Sequence, residues 1–439
     1  MSLLLVAFIS TIGILAGRVI FKKWFNHLTL YCAIIGGLVF LYELKLLPYP
    51  DLSALSWFFI ISAALSFILG NLTIVSAKNL FFRAQSTYQE SDLQIPILAD
   101  GGQALKYSIL FFSFIGLFVA IHRWLVLISK FGSIAAVLLN AGLVYRLNVH
   151  GEIKEFIPIL PSFIYIAVFL SGIYSAYKGR FSFLSIFPII CILLKELTYF
   201  GRGEILFSLS EFLITFFLFR HLLTNYSAKS FKFSKINAII VVTILFALVI
   251  SAASFIRVTR GAPENYVGAS RELRQLEKNM IISPSVYLYL SSDVGVFSKY
   301  LELEKETTNF GQNTFRIIYY FLSKFKIVVE PSFFQKGYYV PMWTNTGTYI
   351  RELHADFGFA GVFLGSYLLG LLITWLWFKF YQGGSILILM FLVYLYLIIA
   401  FSFQMMVTRL NQWFFSQLMI ILFLPLLARM ARSRKVINS

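Results

Sequence analysis

The chain has 439 residues, of which 59% are hydrophobic and only 13% charged, and its mean hydropathy of +0.79 excludes an ordinary soluble domain. The formal net charge of +17 falls largely in short loops between apolar runs, so it reads as membrane topology rather than a nucleic-acid-binding face. Cys32 and Cys191 both lie inside apolar runs, which excludes a disulfide framework.

Continuous apolar runs of about twenty residues predict transmembrane helices, because each must cross about 30 Å of hydrocarbon. Continuous rather than alternating apolarity argues against a β-barrel. The first run, 3–21, ends in Lys22-Lys23 without a small-residue cleavage site and reads as a retained span. Further spans are predicted at 28–47, 53–76, 107–123, 156–177, 181–199, 204–222, 237–256, 354–378, 385–404 and 411–428. The expected fold is therefore all-α: a polytopic integral membrane protein with about eleven transmembrane helices and one large periplasmic loop. The stretch 124–146 is apolar but interrupted by Lys130 and framed by Arg123 and Arg146, and fits either an interfacial helix or an additional crossing.

Basic residues follow the first, third, fifth and seventh spans, as Lys22-Lys23, Lys78 with Arg83, Lys178 with Arg180, and Lys229, Lys232 and Lys235. Lys379 and the Arg429–Lys435 tail continue the series, and with 124–146 not crossing, all of these share one side. The positive-inside rule makes that side cytoplasmic and puts the long loop outside. Three parts result: a transmembrane bundle over 1–256, a periplasmic subdomain with short helices over 257–353, and C-terminal spans with a basic tail over 354–439. Within the loop, Phe310 to Val329 interleaves aromatic and aliphatic residues with Arg316, Lys324 and Lys326. That pattern fits either a helix lying among lipid headgroups or packing against the top of the bundle.

Arginines mark the periplasmic roots of the spans. Arg202 opens the seventh, Arg257 and Arg260 close the eighth, and Arg351 precedes the ninth. A guanidinium stays charged and forks onto phosphate oxygens, so four on one face make a candidate diphosphate clamp. Any one of them taken alone fits a snorkelling helix anchor. His354 stands one helical turn after Arg351 and is a candidate general base, with Asp356 and Glu264 as rivals. Glu211 lies deep in the seventh span, where Lys195 of the preceding span is the expected ion-pair partner. Gln404, Arg409, Gln412 and Gln417 make the last two spans polar near their outer ends. No Walker loop, no Cys/His metal spacing and no Asp-x-Asp occurs, so neither a metal nor a cofactor is expected.

Three features together resemble the bacterial O-antigen, or oligosaccharide repeat-unit, polymerases of the Wzy type, which are related to the O-antigen ligases. They are the Gly201-Arg202-Gly203 turn, a large loop in the C-terminal half, and the run Asn345-x-x-Thr348 through Asp356-Phe357-Gly358-x-x-Gly361-x-x-x-Gly365-Ser366. Arg257 and Gly268 match the family's Arg-x10-Gly spacing; Arg351 departs from it, with Gly361 one residue early and Val362 in its place. The resemblance implies a metal-independent glycosyltransferase of the bacterial inner membrane, its site facing the periplasm, acting on undecaprenyl-diphosphate-linked oligosaccharide. It further implies Arg202, Arg257, Arg260 and Arg351 at the diphosphate, His354 or a neighbouring acid as base, membrane lipids as surroundings, and a chain-length regulator as an optional partner protein. A ligase passing glycan to lipid A core, or a lipid-linked oligosaccharide transporter, is the alternative.

Overall fold

The computed structural model describes residues 2–78, 95–149, 151–153, 159–201, 203–226, 284–303, 310–332 and 335–438. The span expected at 237–256 lies outside them. In chain order the helices are α1 (Ser2–Phe21), α2 (His27–Glu43), α3 (Ala54–Ser76), α4 (Gln103–Phe131), α5 (Ile134–Leu139), α6 (Ala141–Val149), α7 (Phe163–Lys178) and α8 (Phe183–Glu196). They continue with α9 (Gly203–Tyr226), α10 (Pro284–Leu303), α11 (Arg316–Lys324), α12 (Tyr349–Gly383), α13 (Ile386–Ala400) and α14 (Asn411–Asn438). Between α11 and α12, β1 (Tyr338–Tyr339) and β2 (Trp343–Thr344) form a small antiparallel hairpin, with Tyr338 opposite Thr344.

Among the described residues, seven helices are long and apolar enough to cross a membrane: α1, α3, α4, α7 with its preceding turn, α9, α12 and α14; α2 and α13 are apolar but shorter. The protein is thus a helical membrane protein. The stretch 124–146 resolves into the end of α4 followed by α5 and α6, of six and nine residues. Nine residues rise about 13 Å, too little for a crossing. These short helices fold back instead, and Val137, Ala141 and Val144 are buried with Leu127, Ile153 and Phe200.

The chain forms two compact units. The first comprises Met1–Ala84, Glu264–Lys379 and Leu395–Phe414; the second comprises Gln85–Pro263, Phe380–Tyr394 and Phe415–Ser439.

In the first unit, Asn26 and Ser53 cap α2 and α3 by accepting from the Thr29 and Ser56 amides at 2.9 and 3.2 Å. Helices α3 and α12 meet through glycine: a Cβ on Gly70 would lie 2.1 Å from the Tyr367 carbonyl, and one on Gly370 would lie 2.3 Å from that of Phe67. Small residues let membrane helices approach this closely. Beside the crossing, Thr374 donates to Asn71 at 2.8 Å and its hydroxyl lies 2.9 Å from His27 Nε2, a polar thread through an apolar interface. The middle of the expected long loop is α10, a helix of 20 residues rather than a short one. Tyr287 on α10 donates to the Leu41 carbonyl, and the Tyr49 and Ser291 hydroxyls are 2.7 Å apart.

In the second unit, Arg123 is buried rather than at a lipid boundary. It donates to Asn148 at 2.5 Å and to the Ile153 carbonyl at 3.3 Å, and stacks on Tyr199 with 4.0 Å to the ring centre. The expected Lys195–Glu211 pair is corrected: Lys195 pairs with Glu204 at 2.8 Å. The reason is geometric. The last residues of α8 meet the first residues of α9, with the Glu204 amide also donating to Glu196 at 3.2 Å, and Glu211 lies two turns further in. Neither carboxyl oxygen of Glu211, which is fully buried, completes a hydrogen bond; Gln417 of α14 is a polar side chain that faces it.

Candidate functional site

The candidate site lies in the first unit, around the opening turns of α12. Gly358, at φ 62° and ψ −148°, interrupts this helix, so Tyr349–Phe357 forms a separate short segment before the apolar span. Only glycine adopts such a conformation without strain. The segment carries Arg351, Glu352, His354 and Asp356 within six residues.

Glu352 is the hub. One of its oxygens takes Arg409 Nη1 at 2.8 Å and the Gln335 amide; the other accepts from the Met406 backbone N–H. Arg409 extends outward, donating to Asn313 Oδ1 at 2.9 Å and the Ser332 carbonyl at 3.1 Å. Arg316 donates to the Arg409 carbonyl at 3.3 Å and to that of Pro331 at 3.0 Å. Burial and the neighbouring Arg409 charge pull the Arg316 pKa down to about 10, still fully cationic at neutral pH.

Arg351, 1% exposed, donates to Gln335 Oε1 at 3.3 Å and to the Lys336 carbonyl at 2.7 Å. Its guanidinium lies between two phenol rings, 5.3 Å from Tyr300 and 5.2 Å from Tyr338. Tyr300 also links it to His354, whose Nδ1 is 3.0 Å from the Tyr300 hydroxyl. The His354 ring is half-buried, edge-on to Phe59 at 4.9 Å. Arg351 and His354 are therefore neighbours across one tyrosine.

Asp356 is committed differently. Its carboxylate accepts from the Asn313 amide N–H and side chain and from the Thr314 amide N–H and hydroxyl, at 2.7–3.0 Å. Both oxygens are occupied in tying the start of α11 to α12. Glu264, Arg202, Arg257 and Arg260 lie outside the described residues.

Three groups at this site were not singled out by sequence, Asp293, Glu352 and Tyr300, and Arg316 stood out only within the 310–329 pattern. Asp293 on α10 is 1% exposed, and one oxygen accepts from the Thr346 hydroxyl at 2.6 Å while the other has no partner. Burial pushes its pKa up to about 8, opposed by the Thr346 hydrogen bond and the Arg351 charge. Three guanidinium groups, Arg316, Arg351 and Arg409, thus gather beside the carboxyl groups of Glu352, Asp356 and Asp293. Among the described residues no group of acidic, histidine and cysteine side chains is arranged to hold a metal ion.

No family model, no curated protein and no solved structure matches the chain.

Proposed function

We propose that this protein is a glycosyltransferase of the bacterial inner membrane that polymerises undecaprenyl-diphosphate-linked oligosaccharide repeat units at the periplasmic face. The observation that carries the reading is the gathering of three buried guanidinium groups, Arg316, Arg351 and Arg409, at the head of α12, where Arg351 stands about two turns before the kink that opens the apolar span. Clustered guanidinium forks suit an anionic ligand, phosphate above all. In this reading Arg351 holds the diphosphate and stabilises the charge it gains as the glycosidic bond breaks. An acceptor sugar hydroxyl attacks the anomeric carbon, and His354 takes its proton; the half-buried ring suits that role better than Asp356, whose oxygens are already filled.

The full topology of about eleven spans, with the basic loops cytoplasmic, belongs to the same proposal. The test is purified protein in detergent with a lipid-diphosphate repeat unit. A ladder of polymer is expected, unaffected by EDTA and lost in Arg351→Ala and His354→Ala. Transfer to lipid A core without a ladder indicates a ligase instead. One observation favours transport as a second reading: Glu211 sits inside a spanning helix without an ion partner. Counterflow of lipid-linked oligosaccharide in proteoliposomes, lost in Glu211→Gln, would establish it.

A further inference from the structure

The stretch from Phe310 to Val329 leaves a large apolar surface uncovered. Val329 is 86% exposed, Phe310 77%, Phe325 76% and Ile327 66%. On α11 itself, Ile318 and Phe321 are exposed one turn apart, flanked by Phe315 before the helix and Phe325 after it. Spacings of three and four residues place all four on one helical face. The opposite face carries the buried Arg316 and Ile317.

This surface is not loose chain. Asp356 ties down Asn313 and Thr314, and Arg316 holds Pro331, so both ends of the stretch are fastened to the candidate site. Its base is aromatic: Phe310 and Phe315 pack on Phe357 at 4.7 and 6.4 Å between ring centres. Phe357 immediately precedes the Gly358 kink. On the other side of the kink, the exposed Phe359 packs on Phe58 of α3 at 5.6 Å and on Phe363 at 4.5 Å. Leu364, Leu368 and Leu372 continue the exposed apolar surface along α12. The uncovered face of the stretch is therefore continuous with the surface that two membrane-spanning helices present to lipid.

We propose that residues 310–329 form a foot that dips into the bilayer leaflet at this end of the first unit. Acyl chains cover the Phe315, Ile318, Phe321 and Phe325 face, and headgroup phosphates meet the lysines. The occupant is the bilayer because the exposed charge complements it. Lys324 and Lys326 flank the apolar face, and Lys324 already reaches Glu330 at 3.0 Å at its polar margin. An amphipathic helix with an aromatic apolar face and lysines at its rim lies at the depth where acyl chains meet headgroups. A contiguous apolar patch of this kind is not left in water. The foot also fixes the level of the candidate site, since the chain that enters and leaves it is held by Asp356, Arg316 and Arg409. The charged groups at the head of α12 then sit at the lipid–water boundary rather than above it. This inference rests on the membrane-spanning helices and not on the transferase reading.

The test uses Phe325→Cys labelled with an environment-sensitive maleimide fluorophore in proteoliposomes; the native Cys32 and Cys191 are buried and do not compete. Glu302→Cys on α10 serves as the aqueous control. Expected are a blue-shifted emission, several-fold protection from iodide relative to the control, and quenching by shallow spin-labelled lipid beyond that by deep spin-labelled lipid. Iodide access equal to the control overturns the proposal. So does protection that tracks protein density rather than lipid label, which would mean a second copy of the chain covers the face. An Ile327→Cys label read in the same way guards against a misfolded first variant.

Discussion

Two glutamates, Glu352 and Glu211, are almost equally buried, at 1% and 0% exposure, yet the protein treats them in opposite ways. Glu352 lies in the first turn of a helix and collects Arg409, Gln335 and the Met406 amide. Glu211 lies mid-helix and collects no hydrogen bond. Position along the helix explains the contrast. At a helix head the neighbouring chain is irregular, so backbone amides and long side chains from several segments are free to converge. Inside a span every nearby amide is already spent on its own helix, and only another side chain is able to serve. The candidate anion site arises where the first condition holds, and the second unit keeps its unexplained polar group where it fails.

Glu352→Ala tests the comparison most severely. It strands the Arg409 guanidinium in a buried setting, at a cost of about 3–5 kcal/mol, seen as a large drop in thermal midpoint in detergent. Glu352→Gln is expected to fall between; a silent Glu352→Ala would mean the hub is not a hub.

Asp293 sharpens the same point through pH. Its folded pKa, raised to about 8, lies above the ordinary carboxylate value of 3.8, so the folded state binds the proton more tightly than the unfolded chain. Stability from this group is therefore fully present below pH 3.8 and declines as pH rises to about 8, after which its contribution is flat. The thermal midpoint is expected to fall between pH 5 and pH 8 by an amount reflecting a few kcal/mol, and Asp293→Asn to flatten that slope. An unchanged slope would show that Asp293 does not titrate abnormally.

Gly358→Ala places a Cβ at a positive φ with an extended ψ, costing roughly 1–3 kcal/mol. Because the kink separates the charged segment from the span, activity is expected to fall further than stability does. The smallest change is expected from Glu211→Met. Replacing an unpartnered buried carboxyl by an apolar chain of similar length should raise the thermal midpoint slightly, by about 1 kcal/mol. If it instead lowers stability, Glu211 has a stabilising partner and the contrast with Glu352 dissolves.

Much of the scaffold was legible in the residues. Apolar runs such as 3–21, 53–76 and 411–428 became α1, α3 and α14, because a stretch that must satisfy its own backbone in lipid has little choice but to be a helix. The His354–Arg351 proximity was legible too, since helical spacing alone brings residues three apart onto one side. The Lys195 partner was misread: charge and depth pointed to Glu211, but the first residues of α9 delivered Glu204. Asp356 looked like a free acid near a histidine, and only folding brought Asn313 and Thr314 onto it from more than forty residues away. Asp293 gave no signal at all, sitting in a serine-rich stretch of ordinary appearance.

Sequence by itself determined that the chain is helical and membrane-embedded, because hydrophobicity over about twenty residues is a local property set against a solvent of fixed thickness. It also determined which short stretches are charged at the heads of spans. The tertiary structure alone decided which of those charges meet. Glu352 finds Arg409 across fifty-seven residues, and the Arg316 guanidinium reaches the carbonyl of that same arginine. The strength and the partner of a buried charge depend on what else is desolvated beside it, and that is settled only when distant segments close together.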